Sequence, residues 1–154
     1  MDIFFYRQKK YFIFLYLILV NLILKAMNYF ILISAILSLA TVIGHFTMGR
    51  KDYLKPVLNS DIDIVPKKVI HSLFHYMSVF MVLSTIILFA GSSQSCPLYD
   101  YVHNMIRFIG IVYAFFAVTQ FIIAFTSGIS GGVFKLFQWV IWALISACAI
   151  IGTV

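Results

Sequence analysis

The sequence predicts an all-α, polytopic transmembrane helix bundle, for three reasons. Hydrophobic residues make up 63% of the 154-residue chain and charged residues only 10%, which is more apolar surface than a soluble domain can bury. The mean hydropathy is +1.04. Four apolar stretches, residues 28–48, 69–90, 102–126 and 133–152, match the roughly 20 helical residues needed to cross a hydrocarbon core about 30 Å thick. Within them only Arg107 and Lys135 carry formal charge, each near an end. Lipid offers a backbone N–H or C=O no partner, so such stretches must be helical. The alternation of apolar and polar residues that marks a membrane barrel strand is missing.

Ahead of the first span, Tyr11 to Leu24 is an apolar run behind Arg7, Lys9 and Lys10. A charged leader before a short hydrophobic region is the pattern of a signal peptide, but no small-x-small cleavage site follows, since Leu24, Lys25 and Ala26 come next. Residues 1–26 therefore read as an extension: a signal-like leader, an extra short span, or a stretch ahead of an alternative start at Met27. A dispensable extension is preferred to an essential fifth helix. Residues 27–154 form the four-helix membrane domain.

A net charge of +6 would point to nucleic acid in a soluble protein. Here the basic residues lie where topology puts them, and no nucleic-acid partner is expected. Arg50, Lys51, Lys55, Lys67 and Lys68 fall in the connector 49–68, whereas the connector 91–101 has no Lys or Arg. The positive-inside rule places the loop 49–68 in the cytoplasm. Residues 91–101 then face outward, and the turn 127–132, with Lys135 just beyond, faces inward. A small chain without a eukaryotic targeting signature is expected in a bacterial cytoplasmic (inner) membrane. Its partners would be the lipid bilayer and other membrane subunits or a second copy.

Local signals support these boundaries. Pro66 suits the first turn of a helix, and Asp63 or a neighbour is placed to cap the entry to the second span. Gly110, Ala114 and Ala117 form a small-residue stripe on the third span, which allows close approach of another helix in lipid. The segment Ser127-Gly128-Ile129-Ser130-Gly131-Gly132 is a turn by composition. Cys96 and Cys148 fall at different heights in the bilayer, which disfavours a disulfide.

The site-like residues are histidines. His71 and His75, four apart, share a face of the second span, and His45 lies one turn before the cytoplasmic end of the first. At about 1.5 Å per residue, His45 and His71 sit within roughly 5 Å of that edge and His75 roughly 9 Å inside it, so the three can converge. Such a trio could bind a metal or ligate haem, and Met48, Met77 and Met81 nearby add soft ligands for copper. Alternatively, His45 and His71 are interfacial side chains, and only His75 needs an interior partner such as Ser72 or Ser78. A second polar set, Asp100, His103 and Arg107, recurs at i, i+3 and i+7 at the outer start of the third span. It reads as a helix entry turn with a snorkelling arginine, or as an outward-facing anion or headgroup site.

The residues that are missing narrow the chemistry. There is no glutamate, and the five aspartates, Asp2, Asp52, Asp61, Asp63 and Asp100, all lie outside the spans. An HExxH zinc site, a Glu-rich di-iron site and a mid-membrane carboxylate relay cannot be built. Gly128-Ile129-Ser130-Gly131 resembles the GxSG around the nucleophile of rhomboid intramembrane proteases. In that family the histidine base comes from a helix after the serine, and here none follows Ser130, so the turn reading suffices.

Gly44-His45, Gly49-Arg50 and Lys55-Pro56-Val57-Leu58, followed by histidines opening the next span, loosely resemble small bacterial four-helix inner-membrane proteins to which no activity is assigned. The resemblance covers roughly residues 28–90 and bears on architecture alone. The function expected is that of a non-enzymatic accessory, transport or assembly component. A metal- or haem-binding membrane redox protein using His45, His71 and His75 is the alternative.

Overall fold

The computed structural model describes residues 27–93 and 99–154; the N-terminal extension and Cys96 lie outside them. Among the described residues the fold is all-helical, with one isolated bridge between Met27 and Ser93. In order, the elements are α1 (Tyr29–Gly44), a wider π-type segment (His45–Leu54), α2 (Lys55–Leu58), α3 (Ile64–Gly91), α4 (Tyr99–Thr126), α5 (Gly132–Lys135) and α6 (Gln138–Ile151).

Three helices are long and apolar enough to cross a membrane among the described residues: Tyr29–Leu58, Ile64–Gly91 and Asp100–Thr126. The first includes the π-type segment and α2, so the connector expected over 49–68 shrinks to residues 59–63. Hydropathy marks only the part of a helix that meets lipid, and here the helix continues in polar sequence past that boundary. Lys55 N–H donates to the Arg50 carbonyl five residues back, as the wider winding requires. Pro56 then falls in the first turn of α2, where its absent N–H is not missed. Asp63 stands at the N-cap of α3, but its side chain makes no capping bond.

The fourth expected span, 133–152, is divided. One turn, α5, ends at Leu136, whose backbone (φ −104°, ψ 50°) leaves the helical region. The apolar helix α6 then has 14 residues, about 21 Å at 1.5 Å per residue. Trp139 Nε1 donates across the break to the Val133 carbonyl at 3.0 Å. The turn before it is the one composition predicts: Gly128 and Gly131 both have φ +69°, a left-handed conformation that glycine adopts without strain.

Long-range bonds make neighbouring helices antiparallel. Asn28 reaches Gly152 and Ser34 reaches the Ile145 carbonyl, which joins α1 to α6. Ser38 meets Thr85 of α3 at 2.7 Å, and Ser84 meets Tyr113 of α4 at 3.0 Å. Gly110 supports the close approach of α4 and α6, since a Cβ there would stand 3.0 Å from Ile150 Cγ1 and 3.3 Å from Ala149 Cβ. The result is an up-down-up-down ring, α1–α3–α4–α6.

The distribution of side chains inverts that of a soluble bundle. Ser34, Ser38, Ser84 and Ser146 are buried, while Phe108, Phe115, Phe125 and Phe134 stand exposed on the outside. Only 22% to 28% of the most apolar windows of the three long helices is buried inside the bundle, so most of their apolar surface faces outward, as a lipid-facing surface does. The packed core gathers Ile31 and Ala35 of α1, Leu88 of α3, Ile106, Ile109 and Tyr113 of α4, and Ile145 and Ala149 of α6. These extend from the middle of the bundle, at Tyr113 and Ile145, to its Asn28–Gly91–Gly152 end.

Candidate functional site

The opposite end of the bundle holds a cavity of about 540 Å³, within the usual range for small-molecule sites. It forms where two backbone irregularities face each other. Gly49 and Tyr53 of the widened segment line one side, Leu136, Phe137 and Gln138 at the break before α6 line another, and Met77, Met81 and Gln120 come from α3 and α4. Non-helical backbone at membrane depth is tolerated where it is buried in protein or lines a cavity. Toward the core the cavity is bounded by Trp142, which packs on Phe116 at 5.7 Å, and Phe116 in turn packs on Phe80 and Tyr113.

His45 is the anchored histidine of this wall. Its ring stacks on Phe74 at 3.9 Å, and its Nε2 lies 2.9 Å from Ser78 Oγ and 3.2 Å from the Phe74 carbonyl. The carbonyl can only accept, and Ser78 spends its own proton on that same carbonyl at 2.9 Å. Nε2 therefore donates its N–H, and in the neutral ring the lone pair is on Nδ1. Nδ1 lies on the Gly49 side, 3.7 Å from where a Cβ on that glycine would be, and both residues line the cavity.

The wall also holds unmet hydrogen-bonding capacity. Trp142 Nε1 and Gln138 Oε1 are buried with no protein partner. They are one helical turn apart and do not bond each other, while Gln138 Nε2 donates to the Tyr53 hydroxyl at 3.3 Å. A buried donor or acceptor left unpaired costs about 1–3 kcal/mol.

The three histidines expected to converge separate into two sets. His71 and His75 pair with each other, Nε2 to Nε2 at 3.0 Å, on the outer face of α3. His45 turns the other way, into the bundle. This reverses the expected roles: His75 is exposed and His45 has the interior partner. Ser78 lies only about 60° around the helix from His75, but its hydroxyl is met by His45 of the neighbouring helix, while His75 turns to His71. Among the described residues no group of three His, Cys, Asp or Glu side chains is arranged to hold a metal. Met48, Met77 and Met81 do come together, with His45, around the cavity.

The outer set makes contacts within the bundle. Asp100 lies in the first turn of α4, where a carboxylate complements the helix dipole. His103 is half-buried. Arg107 donates from Nη2 to the Thr153 carbonyl just past α6, where a cation meets the negative end of that helix. Ser130 stands exposed in its turn, while His45 is bonded to Ser78 and His71 to His75.

Sequence reasoning missed Gln120, Gln138 and Trp142, and the hydroxyl network of Ser38, Ser84, Thr85 and Tyr113 across three helices. Ser34 and Ser38, and Ser78 and Thr85 with Ser84 beside it, repeat at helical spacing, a small-and-polar stripe that marks packed faces in lipid. Comparison of the chain with protein-family models, with curated proteins and with solved structures finds no match.

Proposed function

We propose that this chain is a non-enzymatic integral membrane component, an accessory, transport or assembly protein, that holds a small lipid-soluble molecule in the cavity beside His45. In this reading the chain crosses a bacterial inner membrane four times with residues 49–68 cytoplasmic, and α5 and α6 together make the last crossing. The observation that carries the reading is the pair of unpaired buried groups, Trp142 Nε1 and Gln138 Oε1, in a wall that is mostly apolar and includes Met48, Met77, Met81 and Phe137. A mostly apolar ligand with one hydrogen-bond acceptor and one donor would relieve both, and His45 Nδ1 offers a further acceptor. Methionines in such a wall adapt to irregular apolar shapes.

The test is mass spectrometry of organic extracts from protein purified in mild detergent. A lipid-soluble compound should be retained near one per chain and fall at least fivefold in a Trp142→Phe, Gln138→Leu double variant. A wild-type protein that retains nothing, and takes up nothing from membrane lipid extract, would refute the reading. Topology has its own check: a reporter fused after Gly91 that is active only in the cytoplasm contradicts the orientation.

A further inference from the structure

We infer that His71 and His75 form a two-histidine chelate for a divalent first-row cation, copper(II) above all, on the outer face of α3. The site uses none of the residues that line the cavity and does not depend on its ligand. The two Nε2 atoms already face each other at 3.0 Å with the rings 49° apart. Metal–imidazole bonds of about 2.0–2.1 Å require cis nitrogens roughly 2.9 Å apart at a right angle and about 3.3 Å apart in a tetrahedron. The pair is thus at chelating separation without backbone movement, held by its i, i+4 spacing on one helix.

In the neutral pair one ring donates its Nε2–H to the lone pair of the other. When a cation binds, the donor ring moves that proton from Nε2 to Nδ1, and side-chain rotation of the two rings turns both Nε2 lone pairs from each other toward the metal. No electron is transferred and no proton need be released. Water completes the coordination. His71 is seven residues and His75 eleven residues into α3, about 10 and 16 Å along an axis that spans about 42 Å in all, so the excess over a hydrocarbon core of about 30 Å leaves the pair near the membrane edge. A hydrated ion can reach it from the 59–63 side. Two ligands one turn apart on one helix approach a metal from the same side. That suits cis chelation and does not suit the opposite faces of a single haem. Imidazole donors favour copper among the divalent ions by the Irving–Williams order.

The experiment uses the full chain, purified through a tag without histidine and kept in mild detergent. Copper(II) is titrated by equilibrium dialysis with metal analysis, and the bound form is examined by electron paramagnetic resonance. One equivalent should bind, with hyperfine structure from two nitrogens. His71→Ala and His75→Ala should each weaken binding at least tenfold, while His103→Ala leaves it unchanged. Single variants that bind as wild type does, or a wild type that binds no more copper than a His71→Ala, His75→Ala double variant, would overturn the chelate. If a variant fails to fold, the wild-type spectrum decides alone: two nitrogens support the pair, and one or none refutes it.

Discussion

Tyr113→Phe tests whether the centre of the bundle is held by hydroxyl pairing or by packing. Tyr113 is fully buried, and its hydroxyl lies 3.0 Å from Ser84 Oγ and 3.3 Å from Ser38 Oγ. Removing that oxygen strands neither serine, because Ser38 keeps Thr85 at 2.7 Å and Ser84 keeps the Met81 carbonyl at 3.0 Å. With no orphaned partner, the loss is that of one ordinary hydrogen bond, about 0.5–1.5 kcal/mol, and the low end applies because hydrogen bonds between transmembrane helices average about 0.6 kcal/mol. The ring is a different matter. It packs on Phe80 at 5.6 Å and Phe116 at 6.1 Å within the core of Ile109 and Ile145, and Tyr113→Ala should cost about 3–5 kcal/mol through the cavity it leaves.

The assay is reversible unfolding in mixed micelles of rising denaturing-detergent fraction, followed by near-ultraviolet circular dichroism. The expected order is wild type, then Tyr113→Phe close behind, then Tyr113→Ala far below. A Phe variant as unstable as the Ala variant would refute the reasoning, since the hydroxyl would then carry what is assigned to the ring. A Ser84→Ala, Tyr113→Phe double variant sharpens the result. Its coupling energy should be a few tenths of a kcal/mol, as for two groups that share one bond and have others in reserve.

Two further predictions use the same assay. Gly110→Leu should lower stability by about 1–3 kcal/mol, because even a Cβ at that position meets Ile150 and Ala149 at 3.0 and 3.3 Å and the rest of the side chain must push α4 from α6; an unchanged unfolding midpoint would contradict the close approach. Arg107→Gln should cost about 1 kcal/mol by removing the cation from the end of α6 and should speed cleavage after Ile151 by added protease. A variant of normal stability that has lost a biological activity would instead revive Arg107 as a binding residue.

What could be read from sequence was whatever lipid enforces. Long uncharged runs must be helical in a bilayer, so the cores of α1, α3 and α4 follow from hydropathy. Their ends do not. Residues 49–58 are polar and helical, and α3 starts at Ile64, ahead of the apolar run at Val69, because a helix does not stop where lipid stops. The break at Leu136 was hidden because the apolar length of 133–152 outweighs Lys135 and Gln138 on either side of it, and the stretch contains no proline. Helical spacing correctly put His71 and His75 on one face, a local relation. It could not tell that this face would turn away from the neighbouring helices, since that depends on the rotation of α3 in the bundle, set by Ser78, Met81, Thr85 and Leu88 facing inward.

The two ends of the bundle differ for a reason that bears on function. At one end Asn28 is bonded to Gly152, Arg107 to the Thr153 carbonyl and the Asn28 amide to the Ser92 carbonyl, so three pairs of chain segments are tied beside the tightest part of the core. At the other end α1 widens and α6 begins late, and both departures border the cavity. A regular helix through His45–Leu54 and an unbroken one through Leu136 would bring those walls together and allow the same apolar packing found around Ile145. Backbone regularity has instead been given up twice at one level of the bundle. π-type turns collect at functional sites, and two irregularities that open onto one pocket are better explained by an occupant than by independent packing faults. A variant that restores regular winding, by deleting one residue between Gly44 and Gly49, should therefore gain or keep stability while losing whatever the pocket retains. If retention survived that deletion, the widened segment would be structural only, and the pocket's contents would have to be held from the α6 side.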